Sequence, residues 1–465
     1  MHPQITSSAC TARISSAMVR DRASAWSRVA GWRRVAAWIR AALLTLLLAC
    51  GVASAQSGGG ITIDTATTLG TVGPYVYGAN YGPLSVVPVA LFDAAKASGI
   101  TFLRFPGGNY GDVNNVRPFD IDMLMTIAKL IGAEPSIHVR LQNGTPDAAA
   151  EMVRYTVDKG YDVRHWYIGN EPSLYAYYSV ERLNREWRAI ALAMLEVDPD
   201  IVLIGPEPHQ WTGLPDSTLV DASGTEWVDG FLRANGDLVD VVAVHRYPFP
   251  RSDSDPSTTV ADLRANTLEW TGFVSRLRAI AENATSRTDY RYGVTEANSH
   301  WSATTGGEAT NDSLFNAIWW ADVLGKLITD GAYMVNYFDL QSPEGRGGWG
   351  LLGSNAPRPT YYVYQLYQRF GSELVAATST VEFVSAYAAL HDDGRLSVII
   401  TNLNDDARSP GLELEGAGAL ESALLLDDTH RATEVADPRS ADGAVITLPG
   451  RSVTLLVFAP PTEAP

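Results

Sequence analysis

Cysteine is almost missing from this chain: 465 residues hold only Cys10 and Cys50. A thiolate metal cage or a disulfide framework would need several spaced cysteines, so both are excluded. Basic charge is also short. Lys and Arg number 35 against 52 Asp and Glu, a net charge of −17, which argues against a phosphate-tracking surface and so against nucleic acid as a partner. No segment approaches the roughly 20 uninterrupted apolar residues of a membrane-spanning helix, so no stable transmembrane segment is expected. The eight histidines show no metal-ligand spacing, and no glycine-rich phosphate fingerprint follows the first strand, so neither a metal nor another cofactor is expected. What the chain does have is apolar and aromatic mass. Hydrophobic residues make up 46%, with 12 Trp, 20 Tyr and 12 Phe, enough for large cores and for the aromatic walls of a sugar cleft.

The scarce basic charge is concentrated at the start. Arg13, Arg20, Arg22, Arg28, Arg33, Arg34 and Arg40 precede an apolar run over 41–49, and Ala53-Ser54-Ala55 supplies small residues before Gln56. Residues 1–55 therefore read as an export leader, which implies a secreted or periplasmic protein. An alternative reading takes Leu47-Leu48-Ala49-Cys50 as a lipoprotein signal and anchors the chain by lipid at Cys50. The translation start and the cleavage site stay open. After cleavage at 55 no cysteine remains, so the mature protein must be held by core burial alone.

Past the joint at Ser57-Gly58-Gly59-Gly60, β-branched and aromatic runs alternate with helical patterns. Eight strands are expected at 75–80, 102–105, 136–141, 163–168, 202–204, 239–244, 291–295 and 333–338. Thr145-Pro146 opens a helix as cap and first residue, Gly160 closes it, and Ser179 opens the next. In that next helix Leu183, Trp187, Ile190 and Met194 form one apolar stripe. Eight βα units within 74–371 specify an α/β fold, a closed (β/α)8 barrel of the triosephosphate-isomerase type. An eighth helix over 361–370 ends at Gly371, and the hydrophobic period then changes to two. Runs over 384–391 and 396–402 flank the turn signal Asp392-Asp393-Gly394, with further strands expected at 445–448 and 453–458. The segment 372–461 thus reads as an appended β-sandwich. Residues 56–73 form a linker whose alternating stretch, 61–65, is expected to join that sandwich.

In such a barrel the chemistry sits at the C-terminal ends of the strands. Glu171 and Glu296 end the fourth and seventh strands, on opposite sides of the mouth. Paired carboxylates suit glycosidic bond cleavage, where one donates a proton and the other attacks or stabilises the sugar carbon. Arg104 on the second strand is placed to keep Glu296 ionised, while Trp166, Tyr167 and Pro172 are expected to desolvate Glu171 and favour its acid form. Asn170 is a donor for a sugar hydroxyl, and Trp211, Trp301 and Trp349 on rim loops are candidates for stacking on a sugar face. Glu207, after the fifth strand, competes with the pair but reads better as a solvated loop acid.

Together, Asn170-Glu171-Pro172 closing a fourth strand, a seventh-strand glutamate, the 104–109 segment and the trailing sandwich resemble the retaining glycoside hydrolases of clan A. Leu103-Arg104-Phe105-Pro106-Gly107-Gly108-Asn109 is most similar to the α-L-arabinofuranosidases of family 51. Families 39, 44 and 79 are close rivals: Gly169-Asn170-Glu171-Pro172 is similar to family 79 and Thr295-Glu296 to family 44. The resemblance implies Glu171 as acid/base, Glu296 as nucleophile, and Arg104, Asn109, Asn170, His245, Tyr247, Trp301 and Trp349 as substrate-binding residues. One departure is that Ala297 follows Glu296 where family 51 enzymes often have tryptophan. The expected activity is hydrolysis of O-glycosidic bonds in a polysaccharide or oligosaccharide. The alternatives are an endo-β-glucanase or xylanase, a β-glucuronidase, or a catalytically silent carbohydrate-binding protein on the same barrel. Sugar, linkage, exo or endo action, and oligomeric state stay open.

Overall fold

The computed structural model describes residues 59–461 apart from 84 and 346. The leader expected over 1–55, its cleavage site and the alternative anchor at Cys50 lie outside the described residues.

The chain opens with β1 (Gly60–Thr71) and then builds a closed parallel barrel. Its strands are β2 (Tyr75–Asn80), β3 (Phe102–Phe105), β4 (Glu134–Val139), β5 (His165–Ile168), β6 (Val202–Pro206), β7 (Val241–Arg246), β8 (Arg291–Ala297) and β9 (Met334–Tyr337). Phe102, Tyr167, Ile204, Val241, Ala243 and Met334 fill the barrel interior. The helices cover the outside with the stripes that their periodicity dictates. Between Val180 and Val197, Leu183, Trp187, Ile190 and Met194 are all buried, and Ser179 caps the helix by accepting from Arg182 N–H. Each such side chain contributes about 1.5–3 kcal/mol by leaving water. Thr145 caps the helix Pro146–Asp158 in the same way.

The second domain contains β10 (Glu373–Ser379), β11 (Val384–Leu390), β12 (Leu396–Asn402), β13 (Gly411–Glu415), β14 (Leu420–Leu426), β15 (Arg431–Val435) and β16 (Ser452–Phe458). With β1 they form one eight-stranded sheet in the order β13-β1-β10-β11-β12-β16-β14-β15. All pairs are antiparallel except β1 with β13. In β1, Ile61 and Ile63 are buried with Val398, Leu412, Ile446 and Phe458 in a core that the sheet wraps around, so the domain is sandwich-like. The turn at Asp392-Asp393-Gly394 joins β11 to β12, with Gly394 in the left-handed region. The strand expected at 445–448 is not continuous. Val445, Ile446 and Leu448 make single bridges to Gly411, Arg439 and Arg408 instead, three separate stretches of chain that offer no continuous edge to pair with.

The two domains share one helix as a wall. Leu314–Thr329 is buried on nearly every side, and its Asp322 Oδ1 accepts from Tyr387 Oη at 2.7 Å and Thr401 Oγ1 at 3.0 Å. Gly325 must lack a side chain, since a Cβ there would stand 2.4 Å from the Tyr387 ring. Among the described residues no helix is long and apolar enough to cross a membrane.

Candidate active site

Arg104 organises the mouth of the barrel. It projects from β3, fully buried, and its guanidinium lies 4.8 Å above the Tyr167 ring. All five of its N–H groups are used, because a buried guanidinium must be fully paired. Nε and Nη2 donate to the two oxygens of Glu207 at 3.2 and 2.8 Å. Nη1 donates to Glu296 Oε1 at 2.6 Å and Asn80 Oδ1 at 2.9 Å, and Nη2 also reaches Asn170 Oδ1 at 2.8 Å. The charge of the two glutamates holds this arginine protonated.

Glu296 lies within β8. Along the β7–β8 ladder Val244 faces Val294 but His245 faces Glu296, so Thr295 is an extra residue on β8. Such a bulge re-aims the side chains beyond it, and here it brings Glu296 against Arg104. Oε1 accepts from Arg104 and from Gly108 N–H at 2.9 Å, while Oε2 accepts from Tyr247 Oη at 2.8 Å. Gly107 and Gly108, which follow β3, make this approach possible. A Cβ on Gly107 would meet Asn80 Cβ at 2.9 Å, and Gly108 has a φ of +63°.

Glu171 sits in the turn after β5 at a φ of 48°, and Glu207 in the turn after β6 at 56°. Left-handed backbone is uncommon for residues with a Cβ and costs about 1–3 kcal/mol. The surroundings of Glu171 differ from expectation. Trp166 turns outward into the helix-facing core and Tyr167 lies inside the barrel under Arg104. Successive strand residues point to opposite faces, so neither can wall a carboxyl beyond the strand end. The neighbour of Glu171 is His245, whose Nδ1 stands 3.1 Å from Glu171 Oε1 and 3.8 Å from Glu296 Oε2. His245 Nε2 lies 3.6 Å from Glu207 Oε1. Burial would lower the His245 pKa, but the charge of Glu296 and the contacts with Glu171 and Glu207 outweigh it and raise it to about 9.

Glu207 is the clearest correction. It is no solvated loop acid but is 1% exposed, clamped by Arg104. Burial alone would raise its pKa, yet Arg104 and His245 hold it down at about 2. Its partner lies 103 residues earlier in the chain, beyond reach of any local pattern. Trp211 is a second correction: it is 2% exposed and packs edge-on against Phe273 at 5.0 Å, so it offers no face to a ligand.

Glu171, Glu296, Asn109, Tyr247, Trp301 and Trp349 line one cleft of about 720 Å³, together with His209 and Gln210. Arg104, Asn170 and His245 form its floor through the hydrogen bonds given above. Asn170 Nδ2 donates to Asn109 Oδ1 at 3.1 Å. Its backbone N–H is held by Asp112 Oδ2 at 2.8 Å, a buried carboxylate that also binds the Tyr175 hydroxyl and that no motif marked. Both indoles are pinned through their N–H groups, Trp301 to Pro250 O at 2.7 Å and Trp349 to His300 O at 2.9 Å. One cluster among the described residues has metal-ligand geometry: Glu171, His245 and Glu296 each place a ligand atom within 4.8 Å of the others. The raised pKa of His245 favours a proton on its imidazole over a free lone pair, and Nδ1 is within hydrogen-bond distance of Glu171 alone.

No protein-family model matches the sequence, and no curated protein matches it either. Solved structures do. A bifunctional glucanase-xylanase from a metagenome library superimposes with a TM-score of 0.68 at 17% identity, covering 87% of this chain and 99% of that one. A family 51 α-L-arabinofuranosidase from Bifidobacterium longum gives 0.68 at 16%, covering 86% and 99%. A Paenibacillus polymyxa xyloglucanase of family 44 gives 0.66 at 14%, covering 87% and 100%. The chain therefore has the fold seen in families 51 and 44, a barrel with an appended β domain, over nearly the whole of those structures.

Proposed function

We propose that the protein is a retaining glycoside hydrolase in which Glu296 is the nucleophile and Glu171 the acid/base. The observation that carries this reading is the approach of a Glu171 oxygen to within 4.8 Å of a Glu296 oxygen across the cleft. Retaining enzymes hold their carboxyls about 5–5.5 Å apart, whereas inverting ones leave about 6.5–9.5 Å for a water. Arg104 and Gly108 fix Oε1 of Glu296, and Oε2, held only by the Tyr247 hydroxyl, attacks the anomeric carbon. Glu171 gives its proton to the departing oxygen, then takes one from the water that releases the sugar from Glu296. Asn170 and Asn109 hold sugar hydroxyls beside the reacting carbon, and Trp301 and Trp349 supply apolar faces.

The substrate class we propose is plant-type polysaccharide or its oligosaccharides, with α-L-arabinofuranosidase-like action first, because the similar structures carry the names arabinofuranosidase, glucanase-xylanase and xyloglucanase. An endo-acting reading has one observation in its favour: Val113 and Leu174, both exposed, line the same cleft as Trp301 and add apolar wall open to solvent. Export through the 1–55 leader belongs to the same proposal, and a mature N-terminus at Gln56 checks it. The activity is tested by a screen of aryl furanosides, pyranosides and uronides, followed by NMR of the first-formed anomer. Net retention is expected, and inversion refutes the reading.

A further inference from the structure

Beside the main cleft is a smaller recess of about 160 Å³, walled by Asn80, Ser85, Tyr110, Phe338, Asp339 and Trp349 among others. Tyr110, Phe338, Trp349 and Gly107 belong to both spaces, so the recess adjoins the sugar site on the Glu296 side. It has room for a sugar substituent or a few waters. Asp339 follows the last barrel strand and is 8% exposed. Among the described residues no donor reaches its Oδ1, which is sealed from solvent. The neighbouring cation, Arg358, is committed elsewhere: Nη1 donates to Gly350 O and Leu352 O at 3.0 and 3.1 Å, and Nη2 to Ser342 O at 2.9 Å. A buried carboxyl without donors is rare in native proteins, because its lost hydration is not replaced. The two other buried carboxyls of the site are well served, with five donors on Glu207 and Glu296 from Arg104, Gly108 and Tyr247. Asp339 differs from other unpartnered groups in lining a recess, where a bound hydroxyl could supply the donor that Oδ1 lacks.

We propose that Asp339 is a specificity-determining residue that accepts hydrogen bonds from hydroxyls of a neutral sugar unit held at Glu171 and Glu296, and that it rejects a carboxylate at the same place. This assignment rests on the glycosidase reading and narrows it to neutral glycones over uronic acids. Burial raises the Asp339 pKa well above the usual carboxylate range, Arg358 works against this, and Glu296 adds to it. A carboxylate brought into the recess would place a second acidic group against Asp339 and offer no donor, whereas a sugar hydroxyl supplies the donor that Asp339 Oδ1 lacks.

The test compares kcat/KM on aryl glycosides matched except at one carbon, glucoside with glucuronide and galactoside with galacturonide, alongside aryl arabinofuranoside and xyloside. The wild type is expected to favour the neutral members by at least 100-fold. Asp339→Asn, which keeps the shape but replaces the ionisable carboxyl with an amide whose N–H can donate to a carboxylate, should cut that ratio at least tenfold. A wild-type preference for uronides, or an unchanged ratio in the folded variant, overturns the assignment and leaves the glycosidase reading intact. Failure of the wild type to cleave any member overturns both. If the variant does not fold, inhibition of the wild type by free neutral sugars and by their uronic acids decides: inhibition by the acid equal to or tighter than by the neutral sugar overturns the assignment.

Discussion

Arg104→Met probes the electrostatic centre directly. Methionine fills much of the volume but leaves Glu207, 1% exposed, and Glu296, 4% exposed, without their main counter-charge. Removing one partner of a buried ion pair costs about 3–5 kcal/mol. A folded body of roughly 400 residues unfolds with an entropy of about 0.8 kcal/mol/K, so Tm should fall by roughly 4–6 °C near pH 6. The dependence on pH identifies the cause. Glu207 has a folded pKa near 2 against an ordinary value of 4.5. Its depressed pKa contributes stability that is fully present above pH 4.5 and is lost as pH falls through 2. At 1.36 kcal/mol per unit this amounts to about 3 kcal/mol. The gap between wild type and variant, followed by scanning calorimetry, should therefore be widest above pH 4.5 and should shrink towards pH 2. A gap below 1 °C at pH 6, or one that is constant down to pH 2.5, would refute the ion-pair account of Arg104.

His245 titrates with the opposite sign. Its raised pKa, near 9 against 6.5, gives stability that is fully present below pH 6.5 and is lost as pH rises through 9, so wild-type Tm should decline over that window and His245→Gln should flatten the decline. Glu171→Ala should slow cleavage of a natural oligosaccharide by about 10²–10⁴-fold while leaving the burst on a dinitrophenyl glycoside much less affected, since an activated phenolate leaves without a proton. An equal loss of burst rate on both substrates would assign the proton donor elsewhere. Trp211→Ala should lower stability by about 3–5 kcal/mol because it empties a core site, whereas Trp301→Ala should raise KM and leave Tm within a degree or two. The reverse pattern would contradict the placement of the two indoles.

The barrel was legible because its strands are short apolar runs at a regular spacing. Two of the eight expected ranges, 75–80 and 102–105, coincide with β2 and β3 residue for residue. The appended domain was legible only in part. Buried strands such as β12 and β16 declare themselves by apolar content, but β15 is largely exposed and β10 is half-buried, so neither stands out from a loop. Within the site, position along a strand end located both Glu171 and Glu296. What local sequence could not convey was environment. Glu207-Pro208 and Glu171-Pro172 look alike in the chain, yet the first glutamate is sealed by an arginine from a distant strand and the second lines the cleft. The walls expected for Glu171, Trp166 and Tyr167, were misplaced for a related reason: neighbours in sequence along a strand are not neighbours across the mouth of a barrel.

The central claim is that Glu296 becomes covalently bonded to the sugar. The direct measurement is inactivation by a 2-deoxy-2-fluoro glycoside of whichever glycone the screen selects, followed by intact mass and peptide mapping. The account predicts one sugar added per chain, carried on Glu296, with no adduct in Glu296→Ala. An adduct mapped to Glu207 or Glu171, or rapid turnover with an inverted product and no adduct at all, would contradict it.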